Sequence, residues 1–130
     1  MKINMFIKSF MNLMANGENP KEYYDSHVVY IPTVVCKDGF RISIQAHNGS
    51  LAASENGYRQ FGENWHYVEW AFPSEPIDAD KYHSYEEDTT QSNGCVVVEL
   101  IDELLDEHGG IDLEKTMEWS WFNHAAYKVA

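Results

Sequence analysis

Apolar and polar residues alternate along residues 34–49, and an Asp-Gly pair lies in the middle of this stretch. Apolar side chains at every second position are typical of a strand with one buried face. Asp38-Gly39 favours a tight turn, because glycine adopts positive φ angles at little cost. We therefore predict a β-hairpin whose second strand buries Phe40, Ile42, Ile44 and Ala46.

Two further stretches have strand-like composition. Residues 27–36 are rich in β-branched side chains, and Pro32 predicts an edge strand or a bend there because proline has no amide donor. Residues 65–72 alternate again. This alternation predicts a core face with His66, Val68, Trp70 and Phe72, and an opposite face with Trp65, Tyr67, Glu69 and Ala71.

Helical spacing of apolar residues occurs in two segments. The first, residues 3–16, ends at Asn16-Gly17, and the second, residues 95–108, ends at Gly109-Gly110. Residues 95–98 are also compatible with a short strand that leads into the second helix. Towards the end of the chain, the alternation over residues 117–122 favours a last strand, with a short helix from about Asp112 as the alternative.

These elements predict an α+β fold: an antiparallel sheet of about four strands covered by two helices. A chain of 130 residues fits a single domain over residues 1–130, and 44% hydrophobic residues can supply a core without disulfides or metal. Residues 77–94 form the longest irregular stretch, and long loops in compact domains are often functional.

The net charge of −12 is concentrated in one segment. Residues 75–118 contain fourteen acidic residues and two lysines, whereas residues 1–74 have a net charge of −1. The chain has no basic stripe to replace counterions, so direct binding of nucleic acid is not expected. A basic protein surface is the natural partner of such a field. The alternative is that the acidic surface only keeps the protein soluble.

The acidic side chains on the outer face of the second helix are the main candidates for a binding surface. Like charges four residues apart destabilise a helix by about 0.2–0.5 kcal/mol per pair, and acids in the last turn oppose the helix dipole. A sequence that tolerates these acids either gains enough stability from packing of the helix or uses the charge for binding. We predict a partner-binding surface that imitates phosphates and consists of Glu86, Glu87, Asp88, Glu99, Asp102, Glu103, Asp106 and Glu107. A solvated helix face is the alternative.

Aromatic residues suggest a second kind of site. If the alternation holds, some rings face away from the core, and an exposed aromatic patch would dock a protein or enclose a small molecule. The candidates for this docking site are Trp65, Tyr67, Tyr82 and Tyr85.

Sequence motifs for catalysis, metals or cofactors are absent. The six histidines lack the HxH, HxxxH and HExxH spacings of metal sites, and no GxSxG or phosphate-binding loop occurs. We expect His108 to cap the last carbonyls of its helix. Cys36 and Cys95 each lie next to an apolar β-branched residue and form no CxxC pair. We therefore predict a non-enzymatic protein with no metal and no cofactor, and a small hydrolase is the weakest alternative.

No apolar run approaches the roughly 20 residues of a membrane helix, and the N-terminal apolar segment lacks a cleavage site. We expect a soluble intracellular protein with reduced thiols and no membrane contact.

The stretches VVCKDGFRISIQA, YVEWAFPSEP and ELIDELLDEHGG, in this order, resemble a group of small uncharacterised phage and prophage proteins. The resemblance extends over about residues 31–110 and implies a phage or mobile-element accessory protein in the host cytoplasm. Small acidic proteins of this kind are often anti-defence inhibitors, such as anti-CRISPR proteins.

Residues and resemblance together predict an inhibitor that binds a basic host protein, a nucleic-acid-binding defence factor, through the acidic surface. The alternative is a small-molecule-binding or sequestering protein with an aromatic pocket. A homodimer that pairs free sheet edges also remains open.

Overall fold

The computed structural model describes residues 1–19, 31–46, 65–78, 80–82 and 93–123. Within these ranges, four strands form an antiparallel sheet in the order β1-β2-β3-β4, and three helices accompany it, which confirms the predicted α+β class. The elements are α1 (Ile3–Ala15), β1 (Val34–Val35), β2 (Arg41–Gln45), β3 (Tyr67–Ala71), β4 (Asn93–Val97), α2 (Val98–Glu107) and α3 (Leu113–Asn123).

The predicted hairpin is confirmed. β1 and β2 are antiparallel partners, and Gly39 at the turn has a φ of 96°. The Cys36 amide donates to the Phe40 carbonyl over 2.8 Å, and the Asp38 carboxylate accepts from the Phe40 amide over 2.9 Å. The predicted face is buried at Phe40, Ile42, Ile44 and Ala46. β1 is an edge strand of only two residues within the described part, and residues 27–30 of the predicted strand lie outside it.

One hydrophobic core lies between the sheet and the helices α1 and α2. Complete burial of a large apolar side chain contributes roughly 1.5–3 kcal/mol, so this layer is a major source of stability. The contributing side chains include Phe6, Ile7, Phe10 and Met11 from α1, Ile101, Leu104 and Leu105 from α2, and Ile42, Ile44, Val68, Trp70 and Val96 from the sheet.

The second predicted helix divides into a strand and a helix. β4 passes directly into α2 at Val98, whose amide donates to the His66 carbonyl over 2.9 Å, so the alternative of a leading strand is correct. The glycine stop is confirmed as well. Gly110 has a φ of 88°, and its amide donates to the Leu105 carbonyl over 2.8 Å.

The prediction of a last strand over residues 117–122 is wrong, because this segment belongs to the helix α3. The alternative of a helix from about Asp112 is correct: the Asp112 carboxylate accepts from the Lys115 amide over 2.9 Å, as an N-cap residue does. α3 buries two polar residues one turn apart, Thr116 and Ser120. The alternation of Met117 and Trp119 therefore does not mark the buried face.

Candidate functional site

The outer face of α2 is an acidic surface. The helix buries Val98, Ile101, Leu104 and Leu105 against the core, and this orientation directs the polar residues of its other face to solvent. Four carboxylates are exposed there, and successive residues four apart are separated by a rise of about 6 Å along the helix axis. We call this surface the acidic ridge: Glu99, Glu103, Asp106 and Glu107.

Asp102 has a role within the fold. Its Oδ1 accepts a hydrogen bond from the Ile3 amide over 2.8 Å, so a carboxylate from α2 lies at the N-terminus of α1. This position is favourable because a helix N-terminus carries unpaired amide donors and a positive partial charge. The residue at the N-cap of α1, Lys2, makes no side-chain cap. Of the five predicted acids on α2, Asp102 is thus half-buried and engaged, and the other four are exposed.

Positive charge near the acidic ridge is sparse. Within the described ranges, Glu103 is the only ridge residue with an ion pair, and the Lys81 ammonium lies 3.1 Å from its Oε1. The hydrogen bond with Glu103 is the largest cause of the raised pKa of Lys81. Both side chains are well exposed, so water weakens this pair. A shallow cavity of about 510 Å³ lies beside the ridge, and of the described residues in its wall, Lys2 is the one base, together with the five acids of α2.

His108 makes a different contact from the predicted cap. Its Nδ1 lies 2.7 Å from the Asp38 Oδ2, and its ring stacks on Phe40 with ring centroids 4.0 Å apart. Its Nε2 faces the Glu75 Oε1 at 3.7 Å. The backbone amide of His108, not its side chain, donates to a helix carbonyl, that of Leu105. The imidazole therefore links the hairpin turn to the end of α2.

The ionised form of Asp38 is stabilised at this junction. Hydrogen bonds from the Phe40 amide and then from His108 are the largest causes that lower the pKa of Asp38 below its ordinary value. Nothing in the local sequence predicts this pair, because 70 residues separate its members.

The predicted aromatic docking site is wrong at two positions. Trp65 and Tyr82 are buried, with exposed fractions of 4% and 3%. β3 begins at Tyr67, so the strand alternation does not extend back to Trp65, and the side-chain amide of Asn4 bonds both backbone groups of Trp65 over 2.8 and 3.0 Å. Tyr67 is half-buried against the core.

The exposed aromatic residue of this region is Phe72, which the alternation assigned to the core. Its exposed fraction is 69% and its φ is 51°, in the left-handed region that bulky residues rarely adopt. β3 ends at Ala71, so the strand period no longer applies at Phe72. The other predicted residues, Tyr85, Glu86, Glu87 and Asp88, lie outside the described residues.

The cysteines and acids that the structure describes form no nucleophile or metal cluster. Burial, and then the charge of Asp38, raise the pKa of Cys36 to about 11, so its thiol stays protonated at neutral pH. Cys95 is buried as well. In the described part of the chain, no three His, Cys, Asp or Glu side chains are arranged to hold a metal ion.

Comparison with known proteins gives no match for this chain, neither to a family model nor to a curated protein or solved structure. Among the described helices, none has both the length and the apolar character needed to span a membrane. The acidic ridge and its surroundings are therefore the basis for a functional proposal.

Proposed function

We propose that the protein is a non-enzymatic inhibitor of phage or mobile-element origin that binds a basic, nucleic-acid-binding host protein through its acidic ridge. The observation that supports this proposal is the exposure of four carboxylates on one helix. Within the described residues, only one of the four forms an ion pair, and its partner is a single lysine. The inhibitor would act in the host cytoplasm, where such defence factors operate. The sequence resemblance to phage and prophage proteins supports this context.

The energetics of α2 favour a use for this charge. Glu99 and Glu103, and again Glu103 and Glu107, are like charges four residues apart, and each pair destabilises the helix by about 0.2–0.5 kcal/mol. Asp106 and Glu107 lie in the last turn, where the helix dipole favours cations. If this face only contacted solvent, lysines at some of these positions would make the helix more stable than the carboxylates do. A residue that lowers stability is often retained because function requires it.

The geometry of the acidic ridge suits a protein that binds nucleic acid. Such proteins neutralise phosphates with arginine and lysine, and carboxylates repeated along a rigid helix offer these side chains similar charge-assisted hydrogen bonds. A partner bound in this way would be kept from its nucleic acid. The small-molecule alternative relied on exposed aromatic rings, and two of its candidates, Trp65 and Tyr82, are buried.

The test is an affinity pull-down from a bacterial host lysate, treated with nuclease, with wild-type protein and with a ridge variant. The ridge variant carries Glu99→Gln, Glu103→Gln, Asp106→Asn and Glu107→Gln and keeps Asp102, so that α1 remains capped. We expect the wild type to retrieve a basic nucleic-acid-binding protein at low salt and less of it at high salt, because salt screens exposed charges. The ridge variant should lose this partner.

A matched control separates the ridge from overall charge. Glu18→Gln, Asp80→Asn, Glu114→Gln and Glu118→Gln remove the same four charges at exposed positions outside the ridge. This variant should retrieve the partner as the wild type does, and added wild-type protein should displace nucleic acid from the purified partner. Equal retrieval by the wild type and the ridge variant would contradict the proposal.

A further inference from the structure

A groove lies between residues 75–78 and 81–82 on one side and the C-terminal end of α2 on the other. Its volume is about 530 Å³, within the size range of ligand sites. Apolar side chains form part of its walls, namely Pro76 and Ile77 on one side and Leu104 on the other. Among the described residues, three carboxylates line it together with these apolar groups, namely Glu75, Asp78 and Glu107. The groove thus combines an apolar surface with negative charge.

Lys81 lines the groove, but its ammonium is paired with a carboxylate outside the groove lining. Its stem contributes to the wall, and its ammonium lies 5.4 Å from the centroid of the Tyr82 ring and 3.1 Å from Glu103. Because Lys81 is paired with Glu103, a ridge residue outside the groove lining, its ammonium is not paired with the carboxylates of the groove.

One carboxylate of the groove, Asp78, is held in place by hydrogen bonds, and a second, Glu75, lies beside His108. Asp78 accepts hydrogen bonds at Oδ1 from the amides of Asp80 and Lys81, over 3.0 and 3.1 Å, which orients its carboxylate. Glu75 faces His108, whose imidazole is fixed in turn by Asp38. A site whose acceptors are positioned before binding loses less conformational entropy when a ligand arrives.

We propose that this groove receives an arginine side chain of the basic partner. The inference rests on the proposed function for the identity of the partner, and it names the side chain that the partner inserts. Glu107 carries the connection, because it lines both this groove and the cavity beside the acidic ridge. A basic surface that lies on the ridge therefore reaches the groove as well.

Charge and shape complementarity select arginine. Its aliphatic stem can pack along Ile77 and Leu104 while its charged end stays at the groove mouth. The carboxylates come from two elements, with Glu75 and Asp78 on the segment after β3 and Glu107 on α2. A planar guanidinium with five donors can serve acceptors on both sides, whereas an ammonium is a compact point charge.

The test uses N-acetyl-arginine amide as the probe, followed by NMR of the methyl groups of Ile77 and Leu104. Its neutral isostere N-acetyl-citrulline amide and the lysine analogue are the comparison probes. We expect saturable shifts at both methyl positions with arginine, smaller shifts with lysine and none with citrulline. Glu75→Gln with Glu107→Gln should weaken the binding roughly fivefold, from two exposed charge contacts of about 0.5 kcal/mol each.

The control is Glu114→Gln with Glu118→Gln, which removes the same charge from α3 and should leave the affinity unchanged. Shifts that are absent at Ile77 and Leu104, equal shifts with lysine, or equal effects of both double variants would overturn the assignment. Its failure is distinct from failure of the proposed function. A partner retrieved through the ridge, with no arginine binding in the groove, would remove this inference alone. A groove that binds arginine in a protein that retrieves no partner would remove the proposed function and the partner as the source of the arginine, and it would leave only the arginine preference of the groove.

Discussion

The helices α2 and α3 follow each other closely in the chain, and over the side chains that the structure describes they are held to the protein in opposite ways. α2 buries leucine, isoleucine and valine and exposes carboxylates. α3 buries Thr116 and Ser120 and exposes Leu113 and Met117, whose exposed fractions are 47% and 46%. α2 is thus stabilised by apolar burial, and the described contacts of α3 are largely polar.

The polar attachment of α3 concentrates on one strand residue. The Thr116 hydroxyl accepts from the Val35 amide over 2.9 Å and donates to the Val35 carbonyl over 3.2 Å, which satisfies the outer edge of β1. The Asp112 amide donates to the same carbonyl over 2.9 Å. Trp119 lies over the Arg41 guanidinium, 4.4 Å from the ring centroid. The comparison shows that hydrogen bonds to a sheet edge can position a helix. A periodic pattern of apolar residues does not predict such an attachment.

The largest expected effect comes from the same substitution in both helices. Leu105→Ala removes a side chain with 2% exposure from the core and should lower the free energy of unfolding by about 2–5 kcal/mol, since it loses burial and leaves a cavity. Leu113→Ala removes the same atoms from the surface of α3 and should change stability by less than about 0.5 kcal/mol. Urea unfolding followed by tryptophan fluorescence measures both. Similar decreases in the free energy of unfolding for the two variants would contradict the proposed difference between α2 and α3.

An intermediate effect is expected at the polar attachment. Thr116→Val keeps the shape and removes the hydroxyl, so the Val35 amide loses its acceptor, and we expect a loss of about 1–3 kcal/mol. Thr116→Ser keeps the hydroxyl and should retain most of the stability. Ser120→Ala is the matched variant one turn later. The Ser120 Oγ is buried without a hydrogen-bond partner among the described residues, so its removal should be neutral or stabilising. Thermal unfolding of the three variants ranks them, and a neutral Thr116→Val would show that apolar packing holds α3.

The smallest effect is expected at the junction of the two helices, where Asp38 contacts His108 and lies near Lys115. The pKa of Asp38 is lower in the folded protein than its ordinary value of 3.8, so its charge stabilises the fold above that pH. This contribution is lost as the pH falls through the folded-state pKa. Asp38→Asn should therefore melt below the wild type at pH 7, and the two melting temperatures should converge towards pH 2.

Melting curves recorded by circular dichroism at pH 7, 5, 3 and 2 measure this convergence. Glu118→Gln, an exposed carboxylate on α3, serves as the control and should show no comparable change with pH. A difference between Asp38→Asn and the wild type that stays constant with pH would contradict the assigned role of the charge.

Elements governed by local periodicity were predictable from the sequence. The hairpin turn, the buried face of β2 and the apolar side of α2 follow from patterns within a few residues, and so does the acidic ridge, because it lies on one helix. α3 was predicted as a strand because its attachment depends on Val35, 81 residues away from Thr116. The pairing of His108 with Asp38 depends on tertiary structure in the same way. Trp65 and Phe72 were assigned to the wrong sides since each lies just beyond an end of β3.

The hydrogen bond between Ile3 and Asp102 can form only late in synthesis of the chain. It joins residues 99 positions apart, and a second polar anchor of α1 among the described residues, the pair of Asn4 and Trp65, spans 61 positions. At about 5–20 residues per second, the ribosome adds Asp102 on the order of 5–20 s after Ile3. During that interval α1 lacks the Asp102 carboxylate at its N-terminus, and its Phe6, Phe10 and Met11 side chains lack the core residues that α2 contributes. The first helix of the chain is thus among the last to reach its native contacts, and it is the segment that a chaperone would have reason to hold during synthesis.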